Sequence, residues 1–154
     1  MEAFEITFFC LRDNHNKGAA SIITKQFGEH DVFQKKNIVE FFCNDGKDYV
    51  EFCLSIFDLI ITENDFDYIM TKISQFVSTI FEKSEDILLA TGIYELTGYY
   101  TENKRYFAEF DTNFIQKFPI VFLRKSQSFN SGKIIYDDAN VTCVFYENAQ
   151  SIIS

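Results

Sequence analysis

Hydrophobic and polar residues alternate in a way that predicts three strands in the first 57 residues. Residues 3–11, AFEITFFCL, form a short apolar run rich in Phe, Ile and Thr, which is typical of a strand. Residues 37–43 and 49–57 flank the turn sequence NDGKD, and this arrangement indicates a β-hairpin. The second arm places Val50, Phe52, Leu54 and Ile56 on one side and Glu51, Cys53 and Ser55 on the other. We therefore expect that strand to bury only one side.

Two segments have the spacing of amphipathic helices. The first contains Ala19, Ile22, Ile23 and Phe27, and Gly28 follows where a C-cap glycine is expected. The second begins with Thr62 and Asp65, which have the form of a capping box. Its apolar residues then follow one face for about five turns. They are Phe66, Ile69, Met70, Ile73, Phe76, Val77, Ile80 and Phe81.

The rest of the chain is predicted to be mainly strands. They cover residues 87–100, 105–110, 118–124, 133–136 and 140–146. The element order is β-α-β-β-α-β followed by further strands, and its first part matches the ferredoxin-like split βαβ unit. We expect one α+β domain over residues 1–154, a mostly antiparallel sheet with two helices packed on one face.

Charge is distributed unevenly along the chain and restricts the kind of partner. The net charge is −9, and residues 40–111 alone hold 15 acidic and 5 basic side chains. Nucleic-acid binding depends on a positive surface, so we expect no nucleic-acid partner. An acidic segment attracts a basic partner, although it would equally serve solubility alone.

The cysteines and the N-terminal residues indicate the compartment in which the protein acts. The four cysteines, at positions 10, 43, 53 and 143, lie in apolar runs without a CxxC pair, which favours free thiols in a reducing cytoplasm. The first residues carry acids where a secretory signal carries Lys or Arg, and no apolar run is long enough to span a membrane. We therefore expect a cytoplasmic protein that does not act at a membrane.

No motif for catalysis or metal binding is present. His15 and His30 have no fixed spacing to cysteines or acids, and the P-loop, GxSxG, GxGxxG and HExxH patterns do not occur. The adjacent Asp137 and Asp138 fit a turn better than an acid–base pair, because neighbouring strand residues point to opposite faces. We expect no cofactor, no metal and no catalytic residue, although a site assembled from scattered residues would leave no motif.

The segment YELTGYYTENKRYFAEFD, residues 94–111, holds the strongest binding signal. It predicts two strands joined by TENK, with aromatic rings and acids mixed on both faces. Such rings stabilise a sheet through cross-strand pairs, and half-exposed tyrosines beside acids also suit a protein interface. The candidate partner-binding residues are Glu95, Tyr99, Tyr100, Glu102, Glu109 and Asp111.

The acidic middle of the chain and the interleaved segment 94–111 resemble bacterial immunity proteins of contact-dependent inhibition and other polymorphic toxin systems. The resemblance is one of type, without a shared motif. It implies a non-catalytic protein that neutralises a cognate toxin, often a basic nuclease, by direct binding. Two alternatives remain open: an acidic secretion chaperone or adaptor, and an enzyme whose site is dispersed along the chain.

Overall fold

A computed structural model describes residues 3–11, 16–29, 39–45, 49–57, 59, 61–94, 120–125 and 132–146. These residues form seven strands and two helices in the order predicted from the sequence, as far as the described part extends. The strands are β1 (Ala3–Leu11), β2 (Val39–Asp45), β3 (Tyr49–Phe57), β4 (Ile87–Tyr94), β5 (Ile120–Arg124), β6 (Lys133–Asp137) and β7 (Val141–Phe145). The helices are α1 (Asn16–Glu29) and α2 (Phe66–Lys83). The predicted strand at 105–110 and the second half of the predicted strand at 87–100 lie outside the described residues.

The seven strands form one antiparallel sheet in the order β2-β3-β1-β4-β5-β7-β6. In its first four strands, β3 lies between β1 and β2, and β1 lies between β3 and β4. This is the interleaving of two split βαβ units, the ferredoxin-like arrangement whose element order the sequence matched. Strands β5, β7 and β6 extend the sheet beyond β4. The α+β class and the antiparallel sheet are therefore confirmed.

Both helices pack on one face of this sheet. The apolar stripe of α2 is buried as predicted, except that Phe66 is only half-buried. Its Phe76 ring makes edge contacts with Phe8 of β1 at 6.3 Å and with Phe27 of α1 at 6.5 Å between ring centroids. Alternate residues of the central strands complete the same core, which includes Phe4, Ile6, Leu54, Ile56, Ala90 and Phe122. The two helices and the sheet thus share one core.

Strand β3 does not have the single buried side that its alternation predicted. Glu51, Cys53 and Ser55 are as deeply buried as Phe52 and Leu54 on the helix side. The prediction was wrong because alternation shows which residues share a face, whereas it carries no information about what packs on that face. The second face continues with the buried residues Glu5, Thr7, Phe9, Leu89, Thr91, Val121, Leu123, Thr142 and Val144.

Two predicted helix ends differ from the structure. Gly28 lies inside α1, which continues to Glu29, so it is not a C-cap. Helix α2 begins at Phe66, and the Asp65 carbonyl accepts its first helical hydrogen bond. The Asp65 carboxylate accepts hydrogen bonds from the backbone N–H of Thr62 at 2.7 Å and from the Thr62 hydroxyl at 2.8 Å. The predicted pair therefore forms, but it braces the turn before the helix instead of its first turn.

Arg124, the last residue of β5, holds the C-terminal end of α2. Its guanidinium donates to the carbonyl oxygens of Phe81 (3.0 Å) and Ser84, and its Nε donates to the Ile87 carbonyl at 2.6 Å. The same group lies 4.9 Å from the centroid of the Phe81 ring. Helix C-termini leave carbonyl groups without intrahelical partners, so this one side chain joins α2, β4 and β5.

The β6–β7 hairpin turns at Asp138 as predicted, whereas Asp137 is still the last residue of β6 and pairs with Thr142 of β7. One carboxylate oxygen of Asp138 accepts hydrogen bonds from the backbone N–H groups of Asn140 and Val141, at 2.8 and 3.0 Å. Its other oxygen accepts one from the Tyr136 hydroxyl at 2.7 Å. Both oxygens of Asp138 therefore serve the turn.

Candidate functional site

The partner-binding residues predicted from the sequence lie beyond the described part of the chain. Strand β4 is described as far as Tyr94, and the next described residue is Ile120. Glu95, Tyr99, Tyr100, Glu102, Glu109 and Asp111 all fall between these two positions. Their grouping into one surface therefore stays a prediction.

A polar cluster on the second face of the sheet is the clearest concentration of reactive groups in the described residues. Register places Glu5 of β1 opposite Ser55 of β3, and Thr7 opposite Cys53. The Ser55 hydroxyl donates to the Glu5 carboxylate at 3.2 Å, and the Thr7 hydroxyl lies 3.5 Å from the Cys53 sulfur as a donor. Glu51 lies two residues before Cys53 on β3, so its side chain is on the same face. The cluster thus brings a thiol, two hydroxyl groups and two carboxylates onto adjacent strands.

The electrostatics of this cluster keep its thiol protonated. Burial, reinforced by the negative charge of Glu5 and, to a smaller extent, Glu51, raises the pKa of Cys53 to about 12. The nearby hydroxyl groups of Thr7 and Ser55 oppose this shift only in part. A nucleophilic cysteine needs the opposite surroundings, because a positive neighbour or a helix N-terminus must favour the thiolate. Cys53 is therefore unsuited to nucleophilic catalysis.

The polar cluster was one place where a dispersed active site could lie, but its carboxylates are buried. The two carboxylates are at most 6% exposed, and neither Glu5 nor Glu51 lacks an interaction partner. His15 and His30, the other candidates for such a site, are outside the described residues. Within the described residues, no group of three or more His, Cys, Asp or Glu side chains could hold a metal ion. The polar cluster is a buried network whose hydroxyl groups donate to a carboxylate and a thiol on the adjacent strand.

The sequence contained one signal of this cluster that the prediction did not use. A strand face exposed to solvent usually carries long charged side chains, whereas the second side of β3 carries Cys53 and Ser55 beside Glu51. Small polar and thiol side chains fit a covered face. The same sheet face becomes apolar toward β4, β5 and β7, where Leu89, Val121, Leu123 and Val144 are fully buried.

The other cysteines with described side chains, Cys10 and Cys143, are buried as well. Cys10, Cys53 and Cys143 are free and buried, which confirms the predicted free thiols at these three positions. Burial raises the pKa of Cys143 to about 12, and the adjacent Ser74 hydroxyl offsets that effect only in part. The Ser74 oxygen is itself buried without a hydrogen bond of standard geometry, so its contact with the thiol is weak.

The exposed surface of α2 and its flanking turns is acidic. Residues 61–86 carry six acids and two bases, and Glu63, Asp67, Glu82 and Glu85 among the acids are exposed. Tyr68 in the first turn of α2 is 63% exposed, with the Lys72 ammonium 5.7 Å from its ring centroid. This surface belongs to the acidic segment 40–111 recognised in the sequence.

Comparison with protein-family models, with curated proteins and with solved structures gave no match for this chain. Among the described residues, neither helix is long and apolar enough to cross a membrane.

Proposed function

We propose that the protein is a non-catalytic, cytoplasmic binding protein that neutralises a cognate basic toxin, in the manner of an immunity protein. The observation that carries the proposal is the concentration of acidic side chains in residues 40–111, where 15 acids accompany 5 bases. In the described part of that segment, four of the six acids around α2 are exposed and so are accessible to a partner. A basic protein domain would be steered toward such a surface.

The proposed contact residues are Glu95, Tyr99, Tyr100, Glu102, Glu109 and Asp111. Acids at the rim of an interface mainly set the association rate, whereas an aromatic anchor at its centre mainly slows dissociation. The segment 94–111 supplies both kinds of residue within 18 positions of the chain. A single toxin domain with a basic active-site cleft, such as a nuclease, has the complementary charge.

Two experiments test the proposal together. The tagged protein is purified from its own cells at low salt, and basic proteins that co-purify are identified by mass spectrometry. Each is then expressed in a sensitive host with and without this protein. We expect one of them to stop growth alone and to be tolerated when this protein is present. If no co-purifying basic protein is toxic, or if toxicity persists in the presence of this protein, the proposed function is wrong.

The proposed contact surface is tested on the purified pair by stopped-flow kinetics at several salt concentrations. The double variant Glu102→Lys/Glu109→Lys should slow association and weaken its salt dependence, and Tyr99→Ala should speed dissociation. Glu29→Lys is the control, because Glu29 is an exposed acid of α1 outside the acidic segment. Unchanged association by the double variant would show that residues 94–111 are not the contact surface.

A further inference from the structure

The outward side of α2 has the composition of an interface centre. Tyr68, Thr71, Gln75 and Thr79 follow one another at spacings of three and four residues, so they form one line along the helix, called here the outer line. The line rises about 16 Å from its first to its last residue. It is uncharged, whereas an ordinary solvent-facing helix surface is rich in Lys and Glu.

Side-chain contacts make this line less polar and more ordered than its sequence indicates. The Thr79 hydroxyl donates back to the Gln75 carbonyl oxygen at 3.0 Å, so it is partly satisfied within the helix. The Lys72 ammonium lies over the Tyr68 ring and restrains its orientation. An exposed, pre-oriented tyrosine buries a large area on binding at a low cost in conformational entropy.

Acidic side chains lie at both ends of the outer line, and Lys72 is a base on the same side of the helix, beside Tyr68. Glu63 and Asp67 lie at its N-terminal end, and Glu82 and Glu85 lie at its C-terminal end, all four exposed. Lys83 is exposed beside Glu82, so the two ends together carry an excess of acids. Interfaces commonly combine a centre depleted in charge and enriched in aromatic residues with a charged rim. The charge of this rim selects a partner whose corresponding rim is basic.

We propose that the outer line of α2 is a docking surface for the same basic protein partner, with Tyr68 as its anchor. This inference rests on the proposed function, and it adds a second contact surface to the one proposed for residues 94–111. The partner would offer an uncharged pocket for the Tyr68 ring and Lys or Arg side chains facing the acids at the two ends of the line.

The test uses the full-length protein and the basic protein that co-purifies with it. The variants Tyr68→Ala and Gln75→Arg change exposed side chains, so both should fold, and circular dichroism melts verify this. Each should weaken binding on the order of tenfold or more in calorimetry. Ile134→Ala is the matched control, because Ile134 on β6 is the other large apolar side chain that is exposed among the described residues, at 49%.

A photoreactive amino acid at position 68 or 134 gives an independent readout that does not depend on affinity. We expect crosslinks to the basic partner from position 68 and none from position 134. If the partner binds and is neutralised while the α2 variants bind as tightly as wild type and position 68 gives no crosslink, this inference is wrong and the proposed function stands. If no basic partner is found, both are wrong.

Discussion

Replacing Arg124 should destabilise the protein far more than replacing its neighbour Lys125. Arg124 donates hydrogen bonds to three backbone carbonyls, those of Phe81, Ser84 and Ile87, and lies over the Phe81 ring. In Arg124→Ala these carbonyls lose a charged donor. Lys125 also makes an ion pair, with Asp137, but the two side chains are 42% and 49% exposed, so water screens the pair.

The magnitude follows from the number of bonds and from how far water can replace them. A hydrogen bond with a charged donor contributes about 1.5–3 kcal/mol, so three bonds set an upper limit of about 5–9 kcal/mol. Arg124 is only half-buried, so water reaches part of the vacated site and recovers much of this energy. We expect a loss of about 3 kcal/mol in the free energy of unfolding. For a chain of this length that lowers the melting temperature by about 6–12 °C.

Urea unfolding, monitored by circular dichroism, measures the effect. The unfolding midpoints of two variants can be compared when their m-values are equal. Arg124→Lys keeps the charge but replaces the planar fork with one ammonium group, so its loss should be intermediate. Lys125→Ala should leave the midpoint almost unchanged, because exposed ion pairs contribute little. Equal midpoints for Arg124→Ala and Lys125→Ala, or a wild-type midpoint for Arg124→Lys, would refute this account of the α2 C-terminus.

Three further predictions concern the core, one turn and the thiols. Ile73→Ala, at a fully buried position of α2, should lower the free energy of unfolding by about 2–5 kcal/mol, and a loss below about 0.5 kcal/mol would contradict its core position. Gly132 has a φ of 140°, and a Cβ added there would lie 2.7 Å from Cγ1 of Val144. Gly132→Ala should therefore lower the melting temperature, and an unchanged melting temperature would count against this. Cys53 should react with a thiol reagent at pH 8 only after unfolding, and melts with and without reductant should coincide. The pKa values of Cys53 and Cys143 are both about 12 in the folded protein against 9.0 for an unperturbed thiol, so their contribution to stability is complete below pH 9 and is lost as the pH rises toward 12. Melts across that range should show this loss, and it should be smaller in a Cys53→Ser variant.

The sequence by itself determined the local elements. A strand covers residues 3–11 as predicted, since β-branched and aromatic side chains such as those of Ile, Thr and Phe pack well on a pleated, buried surface. The stripe from Ile69 to Phe81 identified α2 and its buried side, because a helical period is a property of one continuous segment. The net charge and its concentration in residues 40–111 also needed no coordinates.

Helix ends were determined less well, because they depend on single contacts. Thr62 and Asp65 form the pair that their spacing indicated, yet the helix starts one residue after Asp65. Gly28 has the residue type of a C-cap, but α1 includes it. Residue type alone does not tell whether a capping group meets the backbone amide or carbonyl that needs it.

Tertiary structure alone decided what covers each side of the sheet and what closes the end of α2. Glu51 and Ser55 alternate with apolar residues and so looked exposed, but their face of β3 is buried and Ser55 meets Glu5 from a strand 50 residues away in sequence. Arg124 binds carbonyls 37 to 43 residues earlier in the chain. Alternation and periodicity report only on neighbours along the chain, whereas burial and hydrogen bonding across a sheet are set by segments that meet only after folding.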